Sequence, residues 1–431
     1  MVNIIMDLKF LNLLLFVIVS FIFSFHNLSF ATEVQEPLIR DPMLKIDLVT
    51  EGLSSPTSMA FLDSDNIIVL EKNTGDVRLV SSGNLLKEPL LNLDIDSTTS
   101  TCCRGLLGVT VDNDYIVGET KVFLYYSSAS DKYNKQPVLN QVYRYNWINR
   151  DLINPILLLD LPATPGPNHP GGKLVLGKDG YLYTAIGDLN NEGLLQNIPG
   201  SYLTDSSVII RINSTNGSAP SDNPFAKLRD VYPDSQIDKY YGYGIRNSFG
   251  LDIDPITGYL WETENGDEEF DEINLVLPGF NSGWKKLMGP LAENGIKKDE
   301  LVLIPGSYYG DPIFTWEESI GVTDIEFFSS SRLGPEYENN IFVGDINYGN
   351  LNYFVVNNTR TGIEFDVSKT ENKILREDES NDHVLFGTGF KGITDIETGP
   401  DGFLYVLTFD QENDGEGKIY RITTDNSIKF N

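Results

Sequence analysis

The chain has 431 residues, 62 acidic against 32 basic, for a formal charge of −30. That excess repels phosphate and excludes nucleic acid as a partner, while it suits a solvated surface with affinity for cations such as calcium. The two cysteines are adjacent, Cys102 and Cys103, so there is no disulfide framework and no ligand count for zinc; a vicinal disulfide, a reduced pair and a bond between molecules all stay open.

In chain order, residues 1–31 come first. Asp7 and Lys9 flank an apolar run from Phe10 to Phe25, and Ser29 and Ala31 provide the small residues of a cleavage site. This reads as a signal peptide; because the run approaches the ~20 residues needed to cross a bilayer, an N-terminal membrane anchor is the alternative. Either places the rest of the chain outside the cytoplasm.

From about Pro42 to Thr424 we expect one domain, followed by a short polar tail at 425–431. Within it a pattern recurs: an alternating apolar run, a turn with Gly or Asp, then a second run. It occurs at Asn66–Val80, Lys121–Trp147, Gly180–Asn213, Gly258–Val276, Asn340–Val356 and Gly402–Ile422. Six repeats without a long amphipathic helix predict an all-β fold, a six-bladed β-propeller with four-stranded antiparallel blades. A lone strand at Leu44–Glu51 precedes the first repeat and is expected to complete the last blade beside Lys418–Ile422. Two long connections, Leu189–Leu203 and Ser214–Tyr241, are the lengths at which loops usually carry function.

Three constellations bear chemistry. His169, one of three histidines, opens HPGGKLVLGKDGYLYTAIGD, with a Gly-Gly pair and a strand-turn-strand pattern behind it; imidazole exchanges a proton near neutral pH. Arg246-Asn247 lies between Gly244 and Gly250, where a guanidinium fork suits an anionic oxygen. Asp267, Glu268, Glu269, Asp271 and Glu272 crowd one turn, an oxygen-rich arrangement that fits calcium or simply a solvated acidic loop. No GxGxxG after a strand, Walker lysine loop, GxSxG elbow or HExxH is present, which disfavours Rossmann-type hydride transfer, nucleotide hydrolysis and elbow-type serine hydrolysis.

These segments, with GLSSPTSMAFL, RGLLGVTVD, GIRNSFGLDIDP, DEINLV, NSGW, DPIFTW and GPDGFLYVL, resemble the secreted glucose/sorbosone dehydrogenases, the soluble aldose sugar dehydrogenases that use pyrroloquinoline quinone (PQQ) and calcium. The resemblance runs from Glu51 to Ile422. It implies an oxidoreductase acting on a sugar or similar hydroxyl compound, with an external electron acceptor. By motif, His169 matches the general base and Arg246 the arginine beside the quinone oxygens. Asn247, Asn265 and Thr394 match cofactor-contacting positions, and Gly266, Asp267, Asp271 and Glu272 the calcium-holding stretch. Pro170 after the histidine and Ser282 in NSGW, where an aromatic is usual, depart from the pattern, as do three cation positions: Asn347 stands where PQQ-binding members have lysine, and Gly392 and Thr394 where they have arginines. Since PQQ is a tricarboxylate, those replacements remove charge-assisted bonds. They leave open a second reading, a non-catalytic calcium-stabilised propeller that binds a glycan or protein.

Overall fold

The computed structural model describes residues 36–97, 103–114, 119–130, 137–365, 373–425 and 427. The leader at 1–31 and Cys102 lie outside the described residues. The strands run from Leu38–Ile39 to Gly417–Thr424 and fall into six sheets. Each of the six sequence repeats supplies the central hairpin of a different sheet. The first shows how. NIIVLE and DVRLVS pair antiparallel from Asn66↔Ser81 to Glu71↔Asp76, around a Thr74-Gly75 turn. Gly75, at φ 76°, has no room for a Cβ, which would lie 2.3 Å from the Leu93 carbonyl oxygen.

The sheets close on one another in a cycle, and the apolar core sits at their faces. Ile68 and Leu70 of the first sheet meet Val122 and Leu124 of the second. Phe123 and Tyr125 of the second join Leu182 and Ile210 of the third. Tyr183 and Ile209 of the third reach Leu251 and Leu260 of the fourth. Trp261 and Ile273 of the fourth pack on Ile325 and Ile341 of the fifth. Phe328 and Phe342 of the fifth face Ile393 and Val406 of the sixth, and Leu407 and Ile419 of the sixth return to Met59 and Val69 of the first. The fold is an all-β propeller.

The cycle is sealed by Leu44–Leu53, which pairs antiparallel with Gly417–Thr424, Ile46 opposite Ile422 and Glu51 opposite Lys418. This is the pairing expected from the lone N-terminal strand.

Uniform four-stranded antiparallel blades are not what forms. Only two sheets have four strands; three have five and one has six. Phe280–Asn281 and Tyr308–Tyr309 add to the third sheet, and Ile374–Leu375 to the fourth, in parallel. These short additions come from the long excursions between repeats and cover outer edges that would otherwise expose unpaired amides. The Ser214–Tyr241 connection is likewise structural: Phe225 and Ile237 are fully buried in the core, and Asn223 donates to the Arg211 and Asp238 carbonyls.

Candidate active site

A cavity of about 450 Å³ lies on the axis of the ring, because the innermost strand or its lead-in from every sheet contributes to its wall: Thr57, Leu107, Lys173, Phe249, Thr323 and Thr394. Four more wall residues come from one recurring place, just past the second strand of a sheet. Lys72 follows Asn66–Glu71, Asn265 follows Leu260–Glu264, Asn347 follows Asn340–Asp345 and Gln411 follows Leu404–Phe409. Repetition of one supersecondary unit around an axis thus delivers distant sequence positions to a common pocket.

The His169 and Arg246 loops are joined by Gly187. Its amide donates to the His169 carbonyl at 3.1 Å, and the next amide, Asp188, donates to the Arg246 carbonyl at 2.9 Å. A Cβ at Gly187 would lie 2.3 Å from the Arg246 oxygen and 2.7 Å from that of His169. Gly187→Val is therefore expected to separate the two loops. The cost is about 1–3 kcal/mol of stability, with a loss of activity larger than the fall in melting temperature accounts for; calorimetry alongside a turnover assay checks this. On the other side of His169, itself left-handed at φ 59°, Gly171 and Gly172 also hold positive φ. Cβ atoms there would collide with the Ala185 carbonyl and Leu107 side chain. The glycine pair lets the histidine loop press against two neighbouring strands.

His169 Nδ1 lies 2.7 Å from Asp188 Oδ1. Asp188 Oδ1 also accepts from the Asn190 amide at 2.8 Å, and Oδ2 from the Trp284 indole at 2.8 Å. Burial acts to raise the Asp188 pKa, but the bonds from His169, Asn190 and Trp284 outweigh it and hold the carboxyl below its ordinary range. Asp188 thus stays ionised at neutral pH and orients the ring, leaving Nε2 for another partner. Arg246 stacks 5.4 Å from the Trp284 ring, donates to the Asn265 carbonyl at 3.1 Å and pairs with Asp267 at 2.8 Å. The Leu189–Leu203 connection supports this group from behind: Asn197 donates to the Trp284 carbonyl at 2.7 Å and to Asn281 at 3.0 Å. Neither His169 nor Arg246 is part of the cavity wall itself, but Gly171 and Asn265 beside them are. Asn265 donates to the Val322 carbonyl at 2.8 Å, and buried Asn247 leaves Oδ1 without a donor.

Of the sequence-derived cofactor positions, Asn265 and Thr394 line the cavity, as does Asn347. Of the four calcium positions, Gly266 and Asp271 meet, the Gly266 amide lying 2.9 Å from Asp271 Oδ1, while the Asp267 and Glu272 side chains take other partners. Asp271 and Glu272 are consecutive strand residues and point to opposite faces. Asp271 is a brace, accepting from the Gly266, Gly321 and Val322 amides and the Ser319 hydroxyl. Asp267 is largely exposed and spent on Arg246. Glu272 lies instead on the face of Glu264, its direct cross-strand partner, and near Glu262, opposite Asn274. All three glutamates are buried, and Glu262 Oε1 and Oε2 and Asn274 Oδ1 have no donor. As they stand, no three acidic, cysteine or histidine side chains among the described residues are gathered closely enough to hold a metal ion. The signal in the sequence was the alternation Glu262-x-Glu264 inside an apolar strand.

A second buried cluster adjoins the cavity. Lys173 contacts Asp324 at 2.8 Å, Asp395 at 2.5 Å and Glu397 at 3.4 Å. Burial alone would lower the lysine's pKa, but the three carboxylates hold it well above the ordinary value. The sequence carries this cluster as a duplicated Thr-Asp-Ile-Glu, at Thr323–Glu326 and Thr394–Glu397, on two inner strands.

Residues 53–428 match the family model described as Glucose / Sorbosone dehydrogenase. The chain belongs to this family. It is 26% identical over 379 residues to the aldose sugar dehydrogenase YliI of Escherichia coli (strain K12), covering 86% of this chain and 91% of that one. The apo structure of the soluble aldose sugar dehydrogenase from Escherichia coli superposes with a TM-score of 0.67 at 25% identity, over 89% of this chain and 100% of the other. A PQQ-bound aldose sugar dehydrogenase from Streptomyces coelicolor shares the fold, with a TM-score of 0.64 at 20% identity over 91% and 99% of the two chains.

Proposed function

We propose that this chain is an extracytoplasmic, calcium-dependent quinoprotein oxidoreductase that oxidises an aldose or similar hydroxyl compound, built as a six-bladed ring. The observation that carries the reading is the His169–Asp188 pair beside an axial cavity in a member of this family. With Nδ1 engaged by Asp188, His169 offers Nε2 to a substrate hydroxyl and takes its proton; ionised Asp188 then stabilises the imidazolium. Arg246 places positive charge next to that reaction, and its stacking on Trp284 keeps the guanidinium in place.

The cavity fits PQQ in volume, which is in the range of small-molecule sites, and in its neutral hydrogen-bonding groups. Asn265, Asn347, Thr394, Gln411 and Lys72 would hold it. When bound, PQQ supplies a quinone that accepts the two electrons of the alcohol oxidation. An external acceptor is then required to reoxidise it. The calcium component of the reading is supported by the buried acids Glu262, Glu264 and Glu272 on one face, with Glu262 Oε1 and Oε2 and Asn274 Oδ1 left without donors. The extracytoplasmic component is supported by the apolar leader and by Cys103, which is disulfide-bonded.

The test is dye reduction by the purified chain with PQQ, calcium and a panel of aldoses. Turnover that requires all three is the expected result. Binding of a glycan without turnover would instead establish the non-catalytic reading.

A further inference from the structure

We propose that Lys72 is the carboxylate anchor of the axial cavity, in place of the cations missing at Asn347, Gly392 and Thr394. The inference rests on the quinoprotein reading above for the identity of the anion, and on the structure for the anchor.

The other cations near the cavity are spent. Lys173 is held by three carboxylates. Arg246 is held by Asp267 and the Asn265 carbonyl. Lys391 is half exposed and lies 3.7 Å from Asp410. Lys72 lines the cavity and has neither an ion pair nor a side-chain hydrogen bond among the described residues. The carboxylate next to it in sequence, Glu71, points to the opposite face, where it takes Arg78 at 3.1 Å and the Ser54 amide at 2.9 Å.

The direction of Lys72 is built in. Its amide donates to the Ser55 carbonyl at 3.0 Å, and its carbonyl accepts from the Leu106 amide at 3.1 Å. Its stem passes over Gly105, where a Cβ would lie 2.8 Å from the lysine Cγ and 2.3 Å from its carbonyl oxygen. Any side chain at 105 would displace the lysine. Burial without a counter-charge lowers its pKa; an incoming carboxylate supplies the missing partner, so binding gains a charge-assisted bond at a site already desolvated.

The experiment is calorimetric titration of the apo chain with three ligands: PQQ, its uncharged trimethyl ester, and benzene-1,2,4-tricarboxylate as an anion with no quinone. In Lys72→Met, affinity for PQQ should fall about ten- to hundredfold, the range of one charge-assisted bond. Lys72→Arg should stay within a few-fold of wild type, and the ester should bind both proteins equally. Lys72→Gln repeats the comparison should the Met variant not fold. Unchanged PQQ affinity without the lysine charge overturns the anchor and leaves the quinoprotein reading standing. Lys72-dependent binding of the benzene tricarboxylate with no binding of PQQ keeps the anchor and removes that reading. Failure of both anions to bind wild type overturns both.

Discussion

Replacing His169 with alanine is expected to lower sugar-dependent dye reduction by about 10²–10⁴-fold, the range of a positioned general base, with the melting temperature nearly unchanged. The separation of the two effects follows from how the loop is held. Its path depends on backbone bonds to Gly187 and on the close packing of Gly171 and Gly172, none of which uses the imidazole. Asp188→Asn gives a graded companion result. The isosteric, uncharged side chain keeps the position but not the carboxylate that faces His169 Nδ1 and the Trp284 indole, so the ring loses its enforced tautomer. A fall in turnover with little change in substrate affinity is expected, because orientation of the base matters most in the transition state. Steady-state kinetics on both variants, beside their melting curves, decide the matter. Undiminished turnover in His169→Ala would mean that another group takes the proton.

Raising the pH from 5 to 8 is expected to destabilise the metal-free chain by on the order of 5–10 °C in melting temperature, and calcium to reverse much of the loss. Burial is the leading cause of every shift involved. It pushes Asp252 up to about 6, Glu264 up to about 7, Asp345 up to about 7 and Glu397 up to about 8. Glu262 and Glu272 are raised well above the ordinary glutamate value, with Glu264 adding repulsion to each. An acid whose folded pKa exceeds its unfolded one binds its proton more tightly when folded. Its contribution is complete below about pH 4, the unfolded value, and is lost as pH rises through the folded values, here from 6 to 8. Asp188, held low, works in the opposite sense, but its window lies below pH 4. Lys173, held high, stays charged across the whole range. A divalent ion among Glu262, Glu264 and Glu272 would replace the lost protons as the balancing positive charge, and a ligand that binds only the native state stabilises it by mass action. Differential scanning calorimetry at pH 5 and pH 8, with chelator and with calcium, measures all four corners. A flat pH response in chelator would contradict the burial of these acids, and no calcium effect at pH 8 would remove the ion from them.

The local chemistry of strands was legible from alternation alone. Runs such as NIIVLE and NIFVGD have one partner geometry in which their apolar faces leave water, so the six hairpins and the closure of Leu44–Leu53 on Gly417–Thr424 could be written down before any coordinates. The loops that carry His169 and Arg246 were legible as local patterns too, because glycines flank each of them. The extra edge strands were not. Phe280–Asn281, Tyr308–Tyr309 and Ile374–Leu375 are two-residue pairings with no period to detect, created by which edge happens to need covering. The facing of the acids was decided at the same boundary. Neighbours in sequence, Asp271 and Glu272, were assigned to one site, whereas the strand sends them to opposite faces and gives Glu272 to Glu264, eight positions away.

By itself, then, the sequence determined the strands, their closure into an all-β fold and the glycine-flanked loop that carries His169, since each depends on residues within a few positions of one another or on a hydrophobic period. Only the tertiary structure decided which charges are spent. Whether Lys72, Lys173, Arg246 or Lys391 can receive an anion depends on carboxylates brought from as far away as Asp324 and Asp395, and Coulomb energy follows distance in space, to which distance along the chain is no guide.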